Sequence, residues 1–231
     1  MKDFTKFEKK IELEFKNKDL LQQAFTHRSY INEHKHMKLE HNERLEFLGD
    51  AVLELVVTEY LYAKYPNKPE GELTSYRAAL VNTNTLSDVA GVIGANDFLL
   101  LSRGEAKDTG KARQYILANT YESIVGAIYL DRGYSSAQIF ISKTIFPLIE
   151  KIVSEKLWQD SKSYFQEQAQ ERVSITPVYN VIKEEGPDHD RHFTMGVFLG
   201  NELIAEGEGK SKQEAEQNAA SAALEVQGWY K

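Results

Sequence analysis

Three carboxylates in the segment His41–Leu53 are spaced for shared chemistry. Glu43, Glu46 and Asp50 occupy positions i, i+3 and i+7, which places them on one face of a helix. Like charges at this spacing repel one another unless a cation or a base lies among them. The alternative is a solvated acidic face, but a glycine at position 49 costs a helix about 1 kcal/mol and apolar residues flank the carboxylates on nearly every side. These residues are Leu45, Phe47, Leu48, Val52 and Leu53. A metal site on a buried helix explains the pattern better.

A second polar pair interrupts the apolar segment 118–127. Asn119 and Glu122 lie three residues apart, again on one helical face. If the two helices cross face to face, they bring four side chains with oxygen ligands together: Glu46, Asp50, Asn119 and Glu122. Oxygen ligands suit magnesium or manganese better than zinc or copper. Magnesium keeps several of its waters, so a phosphate substrate and an attacking water also have room.

The first two thirds of the chain, residues 1–155, have the pattern of an all-helical domain. Apolar residues recur at intervals of three and four, as at Leu45, Leu48, Val52, Leu55 and Val56. Strand-like alternation is absent from this part of the sequence. These observations predict that both polar groups lie on helices of one domain.

The pattern changes after residue 158. Residues 161–173 predict a helix, and three strand-like segments follow, with a hairpin turn at Gly200-Asn201. Ser211 and Glu214 then form a capping-box pair that begins a last helix. The predicted fold class is therefore an all-α domain followed by an α-β-β-β-α domain. The predicted limits are 1–155 for the first domain, 156–160 for a linker and 161–231 for the second.

Composition excludes several classes of protein. The 231 residues include no cysteine, which excludes a disulfide scaffold, a thiolate zinc site and a cysteine nucleophile. No apolar segment reaches the roughly 18 residues of a membrane span, and the N-terminus has no signal-peptide pattern, so we expect a cytoplasmic protein without a membrane partner. The net charge of −7 argues against nucleic-acid binding by overall charge. Any such function would depend on local sites.

In several segments, the chain resembles the ribonuclease III family. The segment His41–Leu53 is similar to the family's signature sequence, and the α-β-β-β-α unit resembles a double-stranded-RNA-binding domain. Three further segments resemble family motifs in the bacterial order: Ala24–Tyr30, Gly71–Asn82 and Ala118–Asp131. The resemblance covers nearly the whole chain.

The resemblance implies a role for each residue of the site. Glu46, Asn119 and Glu122, together with Asp50, would form a site for Mg²⁺, for which Mn²⁺ could substitute. Asp50 and Glu122 would be the catalytic residues, with Asp50 holding or orienting the nucleophilic water. Glu43 would have a supporting role where the helix faces the valley of a homodimer.

The resemblance also implies an activity. Family members cleave double-stranded RNA as homodimers and leave 5′-phosphate and 3′-hydroxyl ends with short 3′ overhangs. We therefore expect an endoribonuclease that processes precursors of ribosomal and messenger RNA.

Asn119 departs from the family, which usually has aspartate there. An amide oxygen can bind magnesium but brings no negative charge, so the metal would be held more weakly. The residue is either a tolerated natural variant or an inactivating change. The alternative function is accordingly a double-stranded-RNA-binding protein that no longer cleaves, although the intact Glu46, Asp50 and Glu122 argue against it.

The resemblance places RNA contacts at three positions of the second domain, because such domains read duplex shape across two minor grooves and the phosphates between them. The first helix would contact a minor groove, the loop after the first strand would contact another, and the last helix would bind phosphate at its N-terminus. The corresponding residues are Gln166 and Glu167, then His189, then Lys210, Ser211 and Lys212. By itself, His189 would be read as an exposed loop histidine.

Overall fold

The computed structural model describes residues 2–187 and 191–229. The chain divides into two compact units, Met1–Trp158 and Gln159–Lys231. The division falls inside the predicted linker, and Trp158 belongs to the first unit, where its ring meets Tyr76 edge-on at a centroid distance of 5.0 Å. The limits that we drew from the sequence remain predictions.

The first unit is helical, as predicted. Among the helices that the structure describes, none is long and apolar enough to cross a membrane. The α-helices of the first unit are α1 (Thr5–Lys10), α2 (Lys18–Ala24), α3 (Arg28–Glu33), α4 (Glu43–Lys64), α5 (Glu70–Val81), α6 (Thr83–Val92), α7 (Lys111–Arg132), α8 (Tyr134–Thr144) and α9 (Ile149–Ser154). Short 3₁₀ turns lie at Ala95–Phe98, Glu105–Lys107 and Phe146–Leu148.

Helices α4 and α7, each of 22 residues, form the centre of this unit. Helix α4 buries one face, whereas α7 is buried on all sides from residue 123 to residue 128. Fully buried residues of α4 include Leu53, Val56 and Val57. Those of α7 include Tyr121 and Ile124. Burying a side chain of this size stabilises the fold by about 1.5–3 kcal/mol, so this contact fixes the two helices relative to each other.

Glycines allow α4 and α7 to approach closely. A methyl group on Gly49 would overlap the carbonyl oxygen of Glu122 and would lie 2.8 Å from the backbone nitrogen of Gly126. A methyl group on Gly126 would overlap the carbonyl oxygen of Leu45. Because backbone meets backbone here, no side chain fits between the helices. The glycine that we had linked to a metal site is therefore explained by this helix crossing.

The second unit is a three-stranded antiparallel sheet in the order β1-β2-β3. The strands are β1 (Val178–Glu185), β2 (His192–Leu199) and β3 (Glu202–Gly209). The hairpin between β2 and β3 turns at Gly200, whose φ of 62° lies in the left-handed region. Register irregularities lie between Val181 and Lys183 in β1 and between Val197 and Phe198 in β2.

Two helices cover one face of this sheet: α10 (Ser161–Val173) and α11 (Lys212–Val226). The side chain of Asp160 caps α10 by accepting a bond from the Ser163 amide at 2.7 Å. Helix α11 packs closely because a methyl group on Gly207 of β3 would overlap the amide nitrogen of Ala219. The α-β-β-β-α order predicted from the sequence is confirmed.

Candidate metal centre and nucleic-acid interface

The helix crossing brings the two predicted polar groups into one site. Glu46 and Asp50 lie on α4, one turn apart, on either side of the contact glycine at position 49. Asn119 and Glu122 lie on α7, and the backbone of Glu122 itself touches Gly49. Glu46, Asn119 and Glu122 are partly buried, whereas Asp50 is exposed. The site is therefore a half-buried patch with an open side.

Glu122 is the most perturbed acid of this patch. Burial, together with the smaller effects of the nearby Asp50 and Glu46 carboxylates, raises the pKa of its carboxyl to about 8. At pH 7, the carboxyl of an isolated glutamate is almost completely ionised. Glu122 therefore holds a proton near pH 7 unless a cation supplies positive charge to the patch.

Glu46 and Asp50 are shifted in the same direction. Burial raises the pKa of Glu46, and so do the charges of Glu43 and Asp50, while a hydrogen bond from the Asn119 side chain lowers it. Burial and the charge of Glu54 raise the pKa of Asp50. Asn119 thus contacts Glu46 across the two helices, which places the amide inside the patch.

Glu43 has a different environment from the other carboxylates. Its carboxylate lies 3.7 Å from the Arg28 guanidinium and 3.8 Å from Nδ1 of His41. In the described ranges, no lysine or arginine forms an ion pair with Glu46, Asp50 or Glu122. Glu43 thus has the Arg28 guanidinium beside it, whereas Glu46, Asp50 and Glu122 have no such partner in the described ranges.

The side chains of the patch match the ligand chemistry of a hard divalent cation. They are Glu46, Asp50, Asn119 and Glu122. They offer carboxylate and amide oxygens only, and the carboxylates raise one another's pKa, which a bound cation would reverse. Within residues 2–187 and 191–229, no three His, Cys, Asp or Glu side chains converge closely enough to enclose a metal ion. Magnesium can be bound with only one or two direct protein ligands, because it commonly keeps several of its waters.

Burial along α4 differs from the sequence prediction at one residue. Leu45, Val52 and Leu53 are buried and Leu48 is partly buried, but the Phe47 side chain is 82% exposed. The carboxylates are therefore not enclosed on all sides by the apolar residues of this chain. Phe47 thus lies on a face of α4 that the other helices of the first unit leave exposed.

Ser123 is a residue that the sequence analysis missed. Its buried hydroxyl donates to the carbonyl oxygen of Asn119 at 2.7 Å and lies 3.3 Å from that of Asn42, just before α4 begins. The Asn42 amide donates in turn to the carbonyl oxygen of Thr26 at 3.0 Å. Ser123 thus connects α7 to the start of α4 beside the acidic patch. A polar residue within an apolar helical segment was its only signal in the sequence.

The predicted RNA contacts on α10 are accessible. Gln166 and Glu167 are exposed, while the next residue, Gln168, is buried and accepts a bond from Arg172 Nε at 2.9 Å. The predicted contact at His189 lies outside the described residues. Helix α10 therefore presents two polar side chains that are free to meet a nucleic acid.

The start of α11 is also exposed, but part of its hydrogen-bonding capacity is already used. The Ser211 hydroxyl accepts a bond from the Glu214 amide at 3.2 Å, and the Glu214 carboxylate accepts one from the Lys210 amide at 2.8 Å. Ser211 is thus confirmed as the N-cap residue, but the Glu214 side chain bonds the amide before it and not the Ser211 amide of a capping box. The Lys212 ammonium lies 5.6 Å from the centroid of the Phe193 ring. Phosphate binding would therefore depend on the lysine side chains more than on free amides.

Comparisons with known proteins agree with this architecture. The family model described as "Ribonuclease-III-like" matches residues 17–149, and the model described as "Double-stranded RNA binding motif" matches residues 161–227. The chain belongs to the ribonuclease III family. The family resemblance and fold class predicted from the sequence are confirmed, and this ribonuclease III-family member is an endoribonuclease.

Curated relatives carry the same family name over most of their length. "Ribonuclease 3" of Enterococcus faecalis is 45% identical over 95% of both chains. "Ribonuclease 3" of Staphylococcus aureus is 48% identical over 90% of this chain and 86% of that protein. A solved nuclease domain of ribonuclease III from Campylobacter jejuni is 42% identical, with a TM-score of 0.56, and covers 64% of this chain and 97% of its own.

The shifted pKa of Glu122 predicts how stability depends on pH in this ribonuclease III-family chain. In metal chelator, the folded state keeps a proton on Glu122 between an unfolded pKa near 4.5 and a folded pKa of about 8. Because the folded state binds more protons in this range, stability falls as pH rises from 5 to 8. Glu122→Gln should remove this contribution and raise the melting temperature of the first unit at pH 8 by about 2 °C or more, but not at pH 4.

Scanning calorimetry in EDTA at both pH values measures this effect. Glu155→Gln makes the same chemical change at an exposed position and serves as the control. If Glu122→Gln shifts the melting temperature equally at both pH values, the carboxyl of Glu122 is not perturbed by its surroundings.

Proposed function

We propose that this protein is a magnesium-dependent endoribonuclease that hydrolyses double-stranded RNA to 5′-phosphate and 3′-hydroxyl ends with short 3′ overhangs. The observation that carries the proposal is the meeting of Glu46, Asp50 and Glu122 on two crossing helices with no paired protein cation among the described residues. The proposed substrates are precursors of ribosomal and messenger RNA in the cytoplasm. The domain that follows, which matches a double-stranded-RNA-binding motif, supports this substrate class.

The residues of the patch would have different roles in hydrolysis. Glu46, Asn119 and Glu122 would hold the cation through their side-chain oxygens, and Asp50, on the open side, would hold and orient the attacking water. A bound magnesium ion would polarise the scissile phosphate and lower the pKa of a coordinated water. The water oxygen would form the new bond to phosphorus as the bond to the 3′ oxygen breaks. One water proton would pass to Asp50, and a proton from solvent would complete the 3′ hydroxyl. This order leaves the phosphate on the 5′ end and a hydroxyl on the 3′ end.

A non-cleaving RNA-binding protein remains the second candidate because of Asn119. Its amide donates a hydrogen bond that favours the charged form of Glu46, whereas an aspartate there would repel Glu46. Asn119 thus reduces repulsion within the patch and also removes one charge that would attract the cation. The consequence is a site that needs more magnesium, which a titration can measure.

The magnesium dependence of cleavage tests the proposed function. Chelation with EDTA should abolish cleavage of a long RNA duplex while duplex binding persists. Asn119→Asp should lower the magnesium concentration for half-maximal cleavage several-fold, because charge count helps to set the affinity for a hard cation. Glu122→Gln should reduce cleavage by at least about 100-fold, as expected for a group in the shell of a metal.

Duplex affinity, measured in parallel, is the control for these variants, since we propose that RNA contacts come largely from the second unit. Cleavage that persists in EDTA would contradict the metal-dependent mechanism. An unchanged magnesium midpoint in Asn119→Asp would show that Asn119 is not a ligand. Full activity in Glu122→Gln would remove α7 from the active site.

We propose that the protein acts as a homodimer. Three large side chains on one face of α4 are exposed: Phe47 (82%), Leu55 (57%) and Tyr62 (76%). They follow one another about two turns apart along α4, with exposed Ala51, Glu54 and Thr58 between them, and together form what we call the α4 stripe. Large apolar side chains exposed along one helix face favour an interaction surface. The solved Campylobacter nuclease domain is described as having a flexible region involved in dimer formation, which supports a dimer here.

A charge in the stripe should dissociate the dimer. Phe47→Glu would bury an unpaired carboxylate against apolar side chains of the partner and should raise the dissociation constant by at least about tenfold. Sedimentation equilibrium over a range of concentrations measures this constant. Val92→Glu, at a side chain that is 80% exposed on α6, is the matched control. If both variants sediment like the original protein, the α4 stripe is not the interface.

A further inference from the structure

A cleft separate from the acidic patch lies in the first unit. It is formed by the N-terminal segment, α3 and the segment that leads into α7, and its volume is about 480 Å³. Two cationic side chains, Lys2 and Arg113, line it, together with Tyr30, Asn96 and the leucines at 99–101. Small-ligand sites have volumes of about 300–1,000 Å³. The cleft is therefore large enough for a small organic ligand.

The guanidinium of Arg113 is fixed in this cleft with a donor left over. Its Nη1 donates to Oδ1 of Asn96 at 3.0 Å, and its Nη2 donates to the carbonyl oxygen of Glu105 at 2.7 Å. Its Nε is buried and has no hydrogen-bond partner in the described structure. Because Nε is shielded from solvent, an oxyanion in the cleft would bond the two Nη N–H groups that these contacts leave unused.

The neighbouring groups also present donors. The Lys2 ammonium donates to the carbonyl oxygens of Asp97 at 2.6 Å and Leu99 at 2.9 Å, which leaves one N–H unused. The side-chain oxygen of Asn96 is occupied by Arg113, so its NH₂ group remains available. The Asp97 carboxylate also lines the cleft and opposes an anion. Two cations against one carboxylate still leave the cleft net positive.

The two cations are close enough to influence each other. Burial lowers the pKa of Lys2, Asp97 opposes this effect, and the charge of Arg113 lowers the pKa further. An anion between the two side chains would relieve this repulsion. Arg113 also lies in the first turn of α7, where the helix dipole favours negative charge.

We propose that this cleft binds a small organic phosphate monoester, with its phosphate between Arg113 and Lys2 and its organic part along the leucines at 99–101. Two kinds of ligand carry such a phosphate group: a free small molecule and the end of an RNA strand. We assign the site to the small molecule. Leu100 and Leu101, which are only partly buried, favour this source because they can contact the organic body of a compact ligand. The site is independent of the metal centre proposed above.

Titration calorimetry of the full chain with phenyl phosphate tests this site. EDTA keeps the solution free of divalent cations, and chloride holds the ionic strength constant. We expect one saturable site per chain, with phenyl phosphate bound more tightly than inorganic phosphate. Arg113→Gln should weaken binding by about tenfold or more, the effect of losing a charge-assisted hydrogen bond. Arg77→Gln is the control, because it removes a guanidinium that bonds Thr58 elsewhere in the unit. It should leave the affinity for phenyl phosphate unchanged.

Lys2→Gln provides a second variant, because a change in the N-terminal segment leaves α7 intact even if Arg113→Gln disturbs folding. It should weaken binding several-fold. Absence of a saturable site, or equal affinity in the original protein and Lys2→Gln, would overturn the proposal.

A competition experiment distinguishes the two sources of phosphate. A 5′-phosphorylated dinucleotide and its 5′-hydroxyl counterpart are each titrated against bound phenyl phosphate. Weak displacement by both supports the small-molecule assignment. If the phosphorylated dinucleotide alone displaces phenyl phosphate, at concentrations below those of phenyl phosphate itself, the site belongs to RNA ends and the assignment to a small molecule is overturned.

Discussion

The backbone contact between α4 and α7 at Gly49 and Gly126 is the constraint on which the proposed active site depends. Neither glycine has room for a methyl group, so the helices meet at a distance that only glycine permits. Buried leucine, valine, isoleucine and tyrosine side chains on both sides of the crossing hold this approach in place. Because Glu122 lies at the contact itself, a small change in the crossing would move its carboxylate relative to Glu46 and Asp50.

The crossing has an electrostatic consequence. It holds three carboxylates in a partly buried patch, where burial first and the neighbouring charges second raise the pKa of Glu122 to about 8. The apolar packing around the crossing offsets this unfavourable arrangement, as is common where function requires local repulsion. A cation or a proton would stabilise the patch, and Asn119 reduces the repulsion through its bond to Glu46. The same arrangement that disfavours the empty patch thus favours a divalent cation.

Much of this architecture could be predicted from the sequence because local patterns determine it. Periodicity predicted a helix at residues 161–173, which is the extent of α10, and the capping box at Ser211 predicted the start of α11. Contacts between distant segments, such as that of Ser123 with Asn42, could not be predicted, because a single sequence does not specify how two helices cross. Phe47 was wrongly expected to help enclose the carboxylates, because the same apolar spacing fits a core residue and a surface residue.

We propose that the crossing of α4 and α7 creates one cation site from carboxylates on both helices. Titration calorimetry of the chelator-treated full chain with Mn²⁺, in the absence of RNA, measures whether the helices share a cation. We expect saturable binding that weakens by about tenfold or more in both Glu46→Gln and Glu122→Gln, while Glu155→Gln binds as the original protein does. Unchanged Mn²⁺ affinity in either of the first two variants would show that the two helices do not share a cation.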